Sequence, residues 1–181
     1  MEEELDGIYF ILSPSDLIHE SLATDEDKRN SIAIGIKMDN RFANVVLHDI
    51  VNGDRIELGQ DGERLVCSEL LCYPELNEAQ GDWKGTLNTN ALRHNLNPNI
   101  HLQKHEYIPS LAELHLIVSN IQEINKALIE AGGEPMQDSW YWSSTQYGKF
   151  EAWCVNACDG TPCNWHRLYC NFVRPAICVI Y

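Results

Sequence analysis

Residues 141–176 read YWSSTQYGKFEAWCVNACDGTPCNWHRLYCNFVRPA, and the reading of this stretch decides the fold. Side chains alternate across a strand. In EAWCVNAC, Trp153, Val155 and Ala157 therefore share one face, and Cys154, Asn156 and Cys158 share the other. Asp159-Gly160 is a strong turn signal. The tract TPCNWHRLYCNF after it is polar and aromatic with no apolar alternation, which predicts an exposed strand-and-loop surface.

Four of the chain's seven cysteines, Cys154, Cys158, Cys163 and Cys170, lie here with His166 among them. Three readings compete. Thiolates and imidazole suit zinc, but the spacings C-x3-C, C-x4-C and C-x2-H lack the tight C-x2-C pair of a zinc site. A disulfide across the Asp159-Gly160 turn would bring Cys158 to Cys163, with Cα atoms within about 7 Å. The third reading is free thiols, some on the surface and some in the core, and it asks least of the spacing. Seven is odd, so at least one cysteine stays outside any intrachain disulfide. Cys178, in the apolar AICVIY, reads as a small core hydrophobe, and Cys67 and Cys72 flank a short apolar run as structural residues. Cys163 and His166 could form a nucleophile pair, but no third orienting residue is evident. The other histidines (His19, His48, His94, His101, His105 and His115) show no metal-ligand spacing and read as surface or capping residues. Asp25-Glu26-Asp27 reads as a solvated charge run rather than a calcium site. No metal and no cofactor is expected.

The 181 residues suit one domain, whose core needs neither disulfide nor metal, because a chain of this size buries roughly 70% of its unfolded surface. The net charge of −14 opposes non-specific binding to nucleic acid or anionic lipid. No apolar run is long enough to span a membrane, and the acidic start MEEELDG is the opposite of a signal peptide. GIYFIL at 7–12 reads as a strand, followed by an acidic surface loop through Lys28. SIAIGIKM and RFANVVLHDI form a hairpin about Met38-Asp39-Asn40-Arg41, and Asn52-Gly53-Asp54 is a further turn. Residues 58–98 look irregular, with a short helix starting near Thr89. Ser110-Leu111-Ala112-Glu113 is a capping box. From it Leu114, Ile117, Val118, Ile121, Ile124 and Leu128 recur at helical spacing, with a break near Ser119-Asn120 and a stop at Gly132-Gly133. AICVIY reads as a buried closing strand.

YIPSLAELHLI, INKALIEAGGEP, YWSSTQY, EAWCVNACDG and FVRPA, in this order, resemble a bacterial and phage domain of C-type lectin fold that also ends collagen-like bacterial adhesins. The resemblance is good over residues 81–181, which include GDWKGTLNT, and loose over 1–80. It implies an α+β C-type lectin-like fold of antiparallel strands with two helices over residues 1–181, with the N- and C-terminal strands paired. It implies that Trp142, Trp153 and Arg174 are framework. Arg174 should be fixed by carbonyls or a carboxylate, because its charge is costly to bury unpaired.

One branch of that family comprises the variable proteins of diversity-generating retroelements, in which a reverse transcriptase rewrites adenines in asparagine codons. The resemblance implies a variable binding region at 145–172. Tyr147, Phe150, Cys154, Asn156, Cys158, Cys163, Asn164, His166, Leu168, Tyr169, Cys170 and Asn171 are all reachable from such codons, whereas Lys149, Glu151, Trp153 and Trp165 are not. Aromatic anchors (Tyr147, Phe150, Trp165, Tyr169, Phe172) among adaptable polar groups (Asn156, Asn164, His166, Arg167, Asn171) suit recognition of a macromolecule, as in antibody paratopes. The expectation is a non-enzymatic receptor-recognition protein that binds a protein or glycan target on a cell surface. Phage particle or bacterial surface is the implied location, and the oligomeric state is left open. The alternatives are a non-diversified adhesin domain binding glycan or matrix and, further off, a zinc or thiol enzyme.

Overall fold

The computed structural model describes residues 5–60 and 71–180. The chain opens with β1 (Gly7–Ser13) and β2 (Asp16–His19), then α1 (Asp25–Asn30), β3 (Ala33–Met38) and β4 (Arg41–Val46). A 3-10 turn at Val51–Gly53 leads to β5 (Ile56–Glu57), α2 (Leu76–Ala79), α3 (Gly85–Leu92) and β6 (Glu106–Tyr107). Then come α4 (Leu111–Ser119), α5 (Ile121–Glu130), β7 (Trp140–Gln146), β8 (Glu151–Asn156), β9 (Pro162–His166), β10 (Cys170–Asn171) and β11 (Ala176–Ile177). The strands form a four-stranded sheet β2-β1-β3-β4, a three-stranded sheet β7-β8-β9, and two short pairs, β10-β5 and β11-β6. All ladders between these strands are antiparallel. The class is α+β.

Period-two alternation builds the first sheet. Ile8 and Phe10 of β1, Ile34 and Ile36 of β3, and Ala43 and Val45 of β4 all enter one core, against Leu114, Ile117, Ile124 and Leu128 of the two long helices. The hairpin turns at Asp39, whose φ of 53° suits an Asp in a tight turn. The Ser110–Glu113 capping box starts α4, and Asn120, with non-helical φ/ψ, separates it from α5. Gly132, at φ +79°, then ends the helical run. The stretch through Lys28, expected as an acidic surface loop, instead holds β2 and most of α1, the latter started by a Thr24–Asp27 capping box. The expected helix near Thr89 begins earlier, at Gly85. A side chain at Gly85 would collide with the Glu113 carboxylate, the Tyr107 ring and the Ser110 backbone.

The C-type lectin-like arrangement is overturned on two counts. The described residues contain five α-helices rather than two, and β1 and β11 lie in different sheets. Both edges of β1 are occupied, by β2 and β3, so no edge remains for the last strand. Only two residues of AICVIY form a strand, and they pair with β6. The side chain of Asn44 completes that docking: its amide donates to the Ile177 carbonyl (3.0 Å) and accepts from the Ile177 N–H (2.8 Å). Cys178 is half-buried and Ile180 exposed, so neither is in the core. Cys67 lies outside the described residues. No described helix is long and apolar enough to cross a membrane.

Two polar assemblies lock the second half of the chain. Arg174, 1% exposed, donates to Asp49 (Nε–Oδ1 2.5 Å) and to the carbonyls of Val46, Glu134 and Pro135. The hydroxyl of Tyr141 donates to the other oxygen of Asp49 (3.0 Å). Burial pushes the Asp49 carboxyl up, against the opposing pull of Arg174. The second assembly centres on Asp82, whose Oδ2 accepts from Asn88 (2.6 Å) and from the Thr145 hydroxyl (2.7 Å). Thr145 Oγ1 in turn accepts the N–H of Leu111 (2.8 Å), which ties β7 to the start of α4.

Arg174→Met should lower unfolding stability by about 3–5 kcal/mol, because it strands a buried carboxylate. Urea denaturation should show Arg174→Met combined with Asp49→Leu to be less destabilised than the sum of the two single changes. His115 on α4 gives a pH signature. Its Nε2 is buried with no hydrogen-bond partner, and burial lowers its pKa from the ordinary 6.5. Below pH 6.5 the unfolded chain takes up this proton first, so stability falls as pH drops from there towards the lowered folded value. His115→Gln should flatten that slope in denaturation series between pH 7.5 and 5.5.

Candidate functional site

The sheet β7-β8-β9 is covered on both faces. Tyr141, Trp153, Val155 and, just past β8, Ala157 enter the first core. Trp142, Ala152 and Cys154 enter a second core with Leu58, Leu92, Ile108 and Val173. The alternation read from EAWCVNAC therefore holds, but the Cys154 face is no open surface. Both tryptophans are pinned by their indole N–H groups: Trp142 donates to the Ile56 carbonyl (3.0 Å) and Trp153 to the Tyr73 carbonyl (2.8 Å).

β9 is the outer strand of this sheet, and its alternation presents side chains to two sides. Asn164 lies opposite Trp153 and His166 opposite Glu151. On that side the His166 ring stacks on Phe150 (centroids 6.0 Å, planes 7° apart), and Tyr147 meets Trp153 edge-on at 5.6 Å. On the other side Trp165 packs on Trp140 (4.8 Å) and against Tyr169 (5.9 Å). Phe150 is 44% exposed and Tyr169 61%. Apart from the buried Trp153, these aromatics are exposed or half-buried while a partner fixes their position, which limits the entropy lost when a ligand settles on them.

The turn between β8 and β9 is built by two side chains. Asn156 Oδ1 accepts the N–H of Cys158, and Asp159 Oδ1 accepts the N–H of Thr161, both at 2.9 Å. The latter bond holds the Asp159 carboxyl below its ordinary pKa. Gly160, at φ +75°, closes the turn.

Of the residues expected to bind, the structure gathers Tyr147, Phe150, Asn164 and His166 on one side of β9, and Trp165 and Tyr169 on the other. Cys158 and Cys170 are exposed, Cys163 and Leu168 half-buried. Phe172, half-buried, packs on Tyr141 at 5.5 Å, with Arg55 over its ring. Cys154, Arg167 and Asn171 are buried and present no open surface. Cys154 sits in the second core, where burial pushes its thiol far above the ordinary range. The Arg167 guanidinium turns inward to the Lys149 carbonyl (3.0 Å), and its own carbonyl accepts the N–H groups of Leu58 and Gly59. Asn171 lies in β10 opposite Ile56. Tyr73, Trp140 and Glu151 belong to the same neighbourhood and were not singled out from sequence as binding residues. A pairing argument for β8 and β9 would have found Glu151.

The residues that a zinc site would have used are dispersed. Cys163 and His166 point to opposite faces of β9, and among the described residues no three His, Cys, Asp or Glu side chains gather to hold a metal ion. Cys163 lies opposite Cys154 rather than near Cys158. Elsewhere, a cleft of about 690 Å³ between residues 46–50 and 101–106 is lined by His48, His101 and His105 among both apolar and charged or polar residues, and it includes nothing from 145–172. No known protein family, curated protein or solved structure matches the chain.

Trp165→Ala should destabilise by about 2 kcal/mol, less than the 3–5 kcal/mol of a fully buried ring, since Trp165 is only half-buried between Trp140 and Tyr169. Thermal melts followed by far-UV circular dichroism test this. A loss as large as that of Trp153→Ala would place Trp165 in the core rather than at its margin.

Proposed function

We propose that this protein binds a macromolecular target through the two sides of β9 and the flanking loops at 147–150 and 167–170. The observation that carries this reading is the exposure of Phe150 and Tyr169 beside an outer strand whose Cys163 and Trp165 pack against the second core. Rigid aromatics supply contact area at low entropic cost, and Asn164 and His166 add adaptable hydrogen bonds. Interface hot spots draw on the same residue types. A protein target on a cell surface fits this mixture of aromatic and short polar groups. Association rests on packing rather than on a strong field, because the chain's net charge of −14 would repel an acidic partner.

Diversification by a retroelement is a further part of the proposal. The exposed or half-exposed positions Tyr147, Phe150, Asn164, His166 and Tyr169 are reachable from asparagine codons, as are the buried Cys154 and Asn171, whereas the buried Trp153 and the half-buried Trp165 are not. Such an arrangement would let the face vary while these two tryptophans stay constant. The element predicts a second, asparagine-codon-rich copy of the 145–172 coding stretch near a reverse transcriptase gene. A genomic neighbourhood holding neither sinks the diversification while leaving target binding standing.

Phe150→Ala with Tyr169→Ala should abolish capture of the target from a panel of cell-surface proteins, with loss of at least tenfold in affinity, while the melting temperature stays within about 2 °C of the parent. Capture that survives the double substitution would remove these two aromatics, and with them the observation that carries the reading, from the interface.

A further inference from the structure

Among the described residues β9 is bonded to β8 along one side only, since the sheet order ends at β9. The ladder shows which of its main-chain groups point to the other side. The N–H of Asn156 donates to the Thr161 carbonyl and that of Arg167 to the Phe150 carbonyl, both at 2.9 Å. Hydrogen-bonded and non-hydrogen-bonded pairs alternate along an antiparallel ladder, so Cys154–Cys163 and Ala152–Trp165 are the bonded pairs in between. Pro162, Asn164 and His166 hold the non-bonded positions, and their main-chain groups point away from β8. Proline stands where its missing N–H costs the ladder nothing, as an edge strand allows. Among the described residues nothing bonds the N–H groups of Asn164 and His166 or the Pro162 carbonyl. The Asn164 carbonyl is reached only by the neighbouring Cys163 thiol, at 3.7 Å. The His166 carbonyl is already taken, by the N–H of Tyr169 at 2.9 Å.

We infer that two copies of this chain associate edge to edge through β9, antiparallel about a two-fold axis at Asn164, so that their β7-β8-β9 sheets join into one. The partial charges of this edge are complementary to themselves. In that register the Asn164 N–H of each copy meets the Asn164 carbonyl of the other, and the His166 N–H meets the Pro162 carbonyl. The bond from residue 162 to the carbonyl of 166 is absent, but Pro162 has no N–H to give and the His166 carbonyl is already taken. An axis at Pro162 or at His166 would instead set a missing N–H or a taken carbonyl at the centre. Side chains directly opposite in a ladder share a face, so Trp165 of one copy lies against Cys163 of the other. Natural edges are commonly blunted by charged side chains, and Pro162–His166 contains no Asp, Glu, Lys or Arg. The interface is isologous, as two-fold dimers require. Its consequence, two recognition faces presented side by side to one target, rests on the proposed target binding.

The test needs no target, so its outcome is independent of the binding reading. Sedimentation velocity of the full chain over a roughly hundredfold concentration range should show a monomer passing to a dimer. Salt should strengthen the dimer, because each copy carries a net charge of −14 and roughly 1 M salt screens such repulsion within about 3 Å. In concentrated protein the amide protons of Asn164 and His166 should exchange about tenfold more slowly than in dilute protein. Asn164→Pro removes the central N–H and leaves the bonds to β8 in place. Its melting temperature should stay within about 2 °C of the parent, and it should sediment as a monomer throughout. Asn164→Ala keeps the N–H and should still dimerise. If Asn164→Pro fails to fold, His166→Pro and the exchange of the two amides in the parent decide. A parent that is monomeric at every concentration and salt, a dimer that survives Asn164→Pro, or a dimer that protects amides elsewhere and not these two would overturn the inference.

Discussion

The rest of the structure depends on how the charge of Arg174 is held. A guanidinium at 1% exposure is tolerable only where its donors are satisfied, and here a carboxylate and three carbonyls satisfy them. Those acceptors come from the end of β4, from Asp49 and from the segment after α5, while Tyr141 of β7 joins through Asp49. One side chain therefore fixes the first sheet, the helical pair and the second sheet relative to one another. The direction of the bonds matters as much as their number. Apolar packing is non-directional, so the two cores alone would leave the angle between the sheets loosely defined.

With that angle set, the β7-β8-β9 sheet acts as a wall between two cores. β7 and β8 are largely buried, which leaves β9 and the adjoining loops as the more open part of this sheet. The Asp82–Thr145 bond and the pinned indoles of Trp142 and Trp153 hold the wall from opposite sides. The candidate face owes its order to these buried bonds rather than to its own sequence. Rigid support beneath exposed side chains is the arrangement that the proposed recognition surface needs.

The sequence shows most clearly what is local. The β3–β4 hairpin follows from Asp39-Asn40 between alternating apolar residues, and α4 follows from Ser110 and Glu113. The break at Asn120 is equally plain. Less legible are features decided by distant chain. The residue at the start of α3 is a glycine, Gly85, because Glu113 and Tyr107 leave room for nothing larger. AICVIY is apolar enough for a full strand, yet β1 has no edge to offer it, and an asparagine side chain receives it instead. Within the candidate site, alternation assigned Cys154 to the correct face. Nothing nearby in sequence shows that Leu58, Leu92 and Val173 cover that face. Arg167 misleads for a similar reason: it stands in a polar tract, and its burial comes from residues 58–59 and the Lys149 carbonyl.

Because neighbouring positions of β9 point to opposite sides, the strand works as a partition. Phe150 and His166 occupy one compartment, and Trp165 and Tyr169 the other, with the backbone ladder between them. Groups that share no contact contribute independently to free energy. Substitutions in the two compartments should therefore combine additively, each leaving the packing of the other compartment undisturbed.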